Sequence, residues 1–509
     1  MSRVPSTPET TQLWLLDPRD PVVLGDGRGA AAFGAGNTWP FPHPGTVAGM
    51  VRTALLRGET QVSPDKARDL LKIRVRGPWL VRVSHADGVQ PNEEPVGSLR
   101  FPAPADALLE EKPSPAGQEP PDPDRLVGGQ VTLPGGEEGF TWPAWPQDVL
   151  LGEQATPRPP QPRSLVHLPE RTEAGAKRRR FDQRFWPLDL LVHWSLGQRP
   201  ADRLQQVIRE ADDELNLLHR ERRIHVSLDD ETGTAEAGML YETSGLRLSE
   251  GWQLGMEVEY PSPIEDGTQP WPPALPEGKT LTLLGGEARP SFLEVQSLDH
   301  CPIGAFPGFT DFEPDYHRAS VTAAGLRLQL LTPAYLPVRR KTGDVYHQPG
   351  DPGWCPSWLL DSPASGAGRH HPAVRELLER KGLRLRLEAL CLSGFQVVSG
   401  WNLQGGRERP SPRADARLAQ RTGAPREVRR LVPAGSVYYL YLEPFRASAG
   451  EIDPDLWIQL CKALWGRSMD PEGPGEDAAN LQEDFRAPSA GDGFGLVLPG
   501  FWQYGPQDS

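Results

Sequence analysis

The first apolar run, Leu13-Trp14-Leu15-Leu16, is stopped by Asp17 and Pro18 and predicts a strand. A glycine-rich stretch follows over residues 25–36. Then Val47, Met50, Val51, Ala54 and Leu55 recur at the spacing of one helix face, with Thr46 as the expected N-cap. Period-two alternation over 72–76 and 80–83 predicts two strands. Leu204, Val207, Ile208, Ala211, Leu215 and Leu218 mark a helix over 202–220. The segments 222–228 and 238–243 flank Asp-Asp-Glu-Thr-Gly and predict a hairpin, with Arg223 and His225 on one face. Residues 281–289 read as a strand ending in glycines.

In the second half, alternation predicts strands over 326–333 and 383–392, and 437–442 and 494–498 also read as strands, with a helix over 455–464. That order fits a βαββαβ unit if an irregular segment near 354–360 replaces its first helix. The first half reads the same way with a large insertion after its second strand. The expected class is therefore α+β, with two ferredoxin-like (RRM-like) βαββαβ domains side by side and long Gly/Pro-rich insertions. The expected domains are 1–296, with a Pro-rich insertion at about 102–165, and 297–509, with a basic loop at about 405–430. The insertion is expected to be exposed, because 14 prolines lie between residues 102 and 162.

Composition changes this picture in three ways. Only 37% of the 509 residues are apolar, yet 15 Trp and 15 Phe need a core, so the chain folds. The net charge of −14 repels free nucleic acid at long range, so any RNA contact has to be local. The four cysteines are scattered without C-x-x-C, which suits a reducing compartment and no zinc site. With no run of about 18 apolar residues and no leader pattern, a cytoplasmic protein without membrane contact is expected.

The candidate chemistry is anion binding. Glycines at 25–36 expose backbone N–H groups, and a helix N-terminus follows, so Asp26, Gly27, Arg28, His43, Thr46 and Arg52 are candidate phosphate contacts. The stretch lacks the Gly-Lys-Ser/Thr of a Walker loop, and a plain long turn is the competing reading. Arg222, Arg223 and His225 share one strand, and the basic face of Arg223 and His225 suits a phosphate backbone or equally a solvated strand. A histidine there also suits attack by an RNA 2′-hydroxyl. Residues 369–430 hold fourteen Lys/Arg against six Asp/Glu, among them Arg407, Arg409, Arg429 and Arg430. A basic hairpin gripping RNA and a solvated loop both fit them. Gly285, Gly286, Arg289, Gly435 and Ser436 lie in glycine-dense strand ends, which imply close approach to a ligand or to another segment of the chain. No carboxylate pair, nucleophile elbow or metal spacing appears.

Read together, these motifs carry a resemblance. Leu16-Asp-Pro18, Gly25-Asp-Gly-Arg28, Pro42-His-Pro-Gly-Thr-Val-Ala-Gly49 and Arg52 resemble the N-terminal signature of the third-subunit family of the Cmr module. These are RAMP-superfamily proteins of type III-B CRISPR effector complexes. Phe101-Pro-Ala-Pro-Ala-Asp106, Gly238-Met-Leu-Tyr241, Gly285-Gly-Glu-Ala-Arg289, Leu331-Thr-Pro333, Ser399-Gly-Trp401, Pro433-Ala-Gly-Ser-Val-Tyr438, Gly493-Phe-Gly495 and Gly500-Phe-Trp502 follow in the same order. Two departures stand out: Gly25 replaces the arginine usual before Asp-Gly-Arg, and Gly29-Ala30 replaces an aromatic or proline. The resemblance implies a non-enzymatic subunit, without cofactor, that holds the crRNA 5′ handle. Its implied neighbours are the large polymerase-like Cmr subunit and a Cmr backbone subunit, with target RNA contacted indirectly. Two other readings stay open, a metal-independent crRNA-processing endoribonuclease and the equivalent subunit of a Csm module.

Overall fold

The computed structural model describes residues 11–25, 39–56, 63–83, 99–111, 125–128, 130–131, 166–167, 177–180, 185–198, 217–229, 232–261, 273–285, 288–298, 303–336, 354–359, 370–392, 394–398, 401–402, 424–425, 429–444, 453–471 and 490–503. In chain order the first half supplies β1 (Thr11–Pro18), β2 (Val22–Val23), α1 (Pro44–Leu55), α2 (Pro64–Lys72), β3 (Arg74–Arg82) and β4 (Leu99–Pro102). Next come β5 (Ala107–Glu111), β6 (Arg125–Gly128), β7 (Lys177–Arg180), β8 (Phe185–Pro187) and α3 (Leu188–Ser195). The half ends with β9 (Leu218–Leu228), β10 (Ala235–Leu248), β11 (Trp252–Glu259), β12 (Gly278–Leu284) and β13 (Arg289–Ser297). The second half adds α4 (Glu313–Ser320), β14 (Gly325–Leu330), α5 (Arg375–Lys381), β15 (Leu383–Cys391), β16 (Gln396–Val398) and β17 (Arg429–Leu431). It closes with β18 (Val437–Pro444), α6 (Pro454–Leu464) and β19 (Val497–Trp502).

The fold is mixed α/β and rich in antiparallel sheet. One seven-stranded sheet runs β8-β4-β3-β11-β1-β13-β12, and a four-stranded sheet runs β15-β18-β14-β19. β9 and β10 form a long hairpin that joins the rest through Gly245–Val23 and Leu246–Val22 of β2. β1 shows how alternation builds the layers. Leu13 and Leu15 face one hydrophobic core, and Trp14 and Leu16 face another. The first core also takes Leu326, Leu328, Tyr438, Trp457 and Leu498, so it is drawn from both halves of the chain.

A buried polar knot sits where the sheets meet. Asp106 accepts from Trp194 Nε1 at 3.0 Å, from Arg327 Nη2 at 2.9 Å and from Tyr439 Oη at 2.6 Å. Burial opposes the charge of Arg327, and Asp106 with Tyr439 outweighs it, so the guanidinium is held above its ordinary pKa. Burial and then Asp106 push the Tyr439 phenol well up, so it donates and stays neutral.

The structure corrects several expectations. The N-cap of α1 is His43, not Thr46, because Pro44 fits the first helical position, where it has no N–H to satisfy. The strands expected at 72–76 and 80–83 are one strand, β3; its Gly77 and Pro78 are absorbed by an irregularity opposite, between Gly255 and Glu257 of β11. Leu218 to Arg220 pair with Leu248 to Leu246 and are strand, not the end of a helix; residues 202–216 lie outside the described residues. The strand expected over 281–289 ends at Leu284 of β12, and Arg289, which pairs with it, already belongs to the opposing β13. The first connection of the second sheet does hold a helix, α5, closed by Gly382 at φ 64°. The last strand begins at Val497, because Gly493 and Gly495 take φ of 93° and 75°. The start of the Pro-rich insertion is not exposed: Ala105, Asp106 and Ala107 are buried, and β5 pairs with β6 and β7.

Candidate nucleic-acid interface

The predicted residues gather in two neighbourhoods at the two ends of the glycine stretch. At its upstream end, β2 leads to Gly25. Asp20, just before β2, lies 4.0 Å from Arg223 and 3.6 Å from Arg289. Gly285 turns the chain at φ 81° so close to β2 that a Cβ would meet the Val23 carbonyl at 2.7 Å. The alternation of β9 puts Arg223 and His225 on one face, as the sequence predicts. There Arg223 pairs with Glu221 at 2.7 Å and His225 Nε2 meets Thr243 Oγ1 at 2.7 Å. Hydrogen bonds from Arg223 and Arg247 pull the Glu221 carboxyl below its ordinary value. The opposite face of the hairpin is open. Arg222 is 77% exposed with Glu242 at 3.4 Å, and Ile224, Val226 and Leu240 are exposed beside it.

At the downstream end, Trp39 leads into α1. The His43 ring sits between Trp39, centroid 5.8 Å away, and Phe494, 6.0 Å away. Its Nε2 meets Thr46 Oγ1 at 3.3 Å. Burial pushes the imidazole pKa down to about 4, only partly offset by Asp492, so the ring is neutral at pH 7. Arg52 reaches back along α1: its Nε donates to the Leu70 carbonyl at 3.3 Å and its Nη2 to Asp492 at 2.5 Å. The next glycine, Gly493, passes so close to β3 that a Cβ would meet the Gly77 and Val75 carbonyls at 2.7 and 2.8 Å. Gly495 N–H donates to Pro333 O, and Ala334 bridges to Val432, which brings β17 alongside. Arg429 of β17 lies over the Tyr335 ring at 5.5 Å, and Arg430 over the Phe395 ring at 5.3 Å. The β16–β17 pairing continues as Trp401–Pro425 and Asn402–Ala424, so both ends of the basic loop are hairpin arms.

Gly435 and Ser436 belong to neither neighbourhood. Gly435, at φ 86°, would put a Cβ 2.3 Å from Ala103 O, and its carbonyl accepts from Ala105 N–H at 2.7 Å. Ser436 is fully buried. The close approach that glycine density implies is made here by the chain itself. Asp26, Gly27, Arg28, Gly286, Arg407 and Arg409 lie outside the described residues. Sequence reasoning missed Tyr335 and Phe395. The signal for Phe395 was a lone aromatic between a glycine and a strand, which any turn can show.

The model of the family described as CRISPR-associated protein (Cas_Cmr3) matches residues 14–444, and the chain belongs to that family. Among solved structures, a chain of a type III-B Cmr-beta complex bound to cognate target RNA is similar at 12% identity and TM-score 0.34, covering 84% of this chain and 86% of that one. The same complex with target RNA and AMPPnP gives 13% and 0.34, again over 84% and 86%. A chain of a Csm3–Csm4 subcomplex from a type III-A complex gives 8% and 0.29, covering 87% of this chain and 95% of that one. No curated protein sequence matches. No described helix is long and apolar enough to cross a membrane.

Proposed function

We propose that this chain is a non-catalytic subunit that holds the 5′ handle of crRNA and joins the large polymerase-like subunit to the backbone of a Cmr complex. The observation that carries the reading is the placement of both ends of the glycine stretch. Upstream of it, Asp20 lies by Arg223 and Arg289; downstream, the helix N-terminus at His43 packs on Phe494, whose neighbour Gly495 is linked through Pro333 and Ala334 to the strand that carries Arg429 and Arg430. Backbone N–H groups and paired arginines suit a phosphodiester, and they do so in a chain whose overall charge repels RNA. The strand orders β3-β11-β1-β13 and β15-β18-β14-β19 both equal second-third-first-fourth within their halves, which supports reading two ferredoxin-like units.

The histidines favour a binding role. A base held near pKa 4, as His43 is, is poorly matched to proton abstraction at neutral pH. His225 is engaged with Thr243. The test is ultraviolet crosslinking of the assembled complex with 4-thiouridine in the handle, read by mass spectrometry. Crosslinks within 25–52, 222–225, 285–289 or 407–430 are expected, and handle crosslinks confined to other subunits overturn the proposal. Repeat RNA incubated without metal is expected to stay intact. Cleavage that disappears in His225→Ala would establish the endoribonuclease instead.

A further inference from the structure

We infer that Phe395 and Arg430 form a stacking platform for one unpaired base of a bound RNA strand; the inference rests on the RNA-binding reading above and names a contact within it. Phe395 is 66% exposed, although phenylalanine is a side chain that folding normally covers. It follows Gly394, at φ 100°, where nothing lies within 4 Å of a built Cβ. The strand that follows is firmly seated. Gln396, Val397 and Val398 pair with Leu431, Arg430 and Arg429, and Val398 and Leu431 are buried in the core. Period two therefore turns Phe395, Val397 and Arg430 outward while Val398, Arg429 and Leu431 face inward.

Arg430 adds the second half of the site. Arg52, Arg222, Arg223 and Arg289 each have a carboxylate partner. Among the described residues Arg430 has none, and its guanidinium lies over the Phe395 ring, 5.3 Å from the centroid. An aromatic face and a guanidinium plane are the two surfaces on which unstacked bases settle, and the uncompensated cation suits the adjoining phosphate. The occupant is RNA rather than protein because, among the described residues, the outward apolar surface is the Phe395 ring and Val397 beside a cation, far smaller than the patches that mark protein interfaces. The intervening sequence 403–428 carries six arginines against three acidic residues, so the arms emerge from a locally basic segment.

The experiment uses the full-length chain and a short single-stranded RNA carrying 2-aminopurine. Affinity is read by anisotropy at several salt concentrations, and stacking by 2-aminopurine quenching. Phe395→Ala is expected to weaken binding about 5- to 100-fold and abolish quenching, with the salt slope unchanged. Phe395→Trp is expected to restore both. Arg430→Gln is expected to lower the salt slope by about one. Wild-type affinity and quenching in Phe395→Ala overturn the inference while leaving the RNA-binding reading intact. Absence of RNA binding in the wild-type chain and in its assembled complex overturns both. Because Phe395 is exposed, unchanged thermal unfolding of the alanine variant separates lost stacking from lost fold.

Discussion

Asp106 is a carboxylate that depends on its neighbours. It is 4% exposed and collects an indole, a guanidinium and a phenol from elements 88, 221 and 333 residues away. Removing one partner of such a pair strands the other in a medium that cannot solvate it. Asp106→Ala is therefore expected to cost about 3–5 kcal/mol of stability in chemical denaturation. Asp106→Leu with Arg327→Met, which removes both charges, is expected to recover most of it. His43 gives the pH-dependent counterpart. Its folded pKa of about 4 lies below the ordinary 6.5, so the unfolded chain takes up the proton first. Stability contributed by the neutral ring is complete above about pH 6.5 and falls as pH drops toward 4, by about 3 kcal/mol at most. Urea midpoints measured from pH 7 to 4.5 are expected to fall in the wild type and to flatten over that window in His43→Gln.

Among the elements, what was legible in the sequence was alternation. The strands around Leu326 and Leu383 follow from period two, while those around Leu13 and Val437, buried on both faces, follow from short apolar runs. Apolar spacing alone misled at Leu218, where pairing with Leu248 decides the conformation. Helix α5 was hidden because it is short and its only apolar positions are the adjacent Leu377 and Leu378, which show no helical period. For the candidate site, the arginines were readable as basic, but their partners were not, since Asp20, Glu221 and Asp492 are distant in sequence from most of the groups they neutralise. Arg52 and Asp492 make the clearest case, 440 residues apart. This pair ties α1 to the turn at 490–492, and both side chains are less than a fifth exposed. A double-mutant cycle on Arg52→Ala and Asp492→Ala is expected to return a coupling of about 1.5–3 kcal/mol. Gly493→Ala is expected to be at least as damaging as either single change, since its Cβ would meet backbone on β3 that cannot move aside.

At the scale of the whole molecule, the acidic balance and the local basic sites are two parts of one arrangement. A net charge of −14 disfavours indiscriminate RNA binding, and under the proposed function the arginines on strand ends are the groups that would meet a strand delivered in register. The shared core makes the two sheets one stability unit. The Asp106–Arg327 contact has a further consequence, which is one of time. The two residues are 221 positions apart, so a ribosome that has just released Asp106 needs about 10–45 s to supply Arg327, and longer to supply Tyr439. Through that interval the nascent first half carries a carboxylate shaped for a partner that does not yet exist, beside a core face awaiting Leu326 and Leu328. The N-terminal half can therefore complete its packing only once the second half has been made.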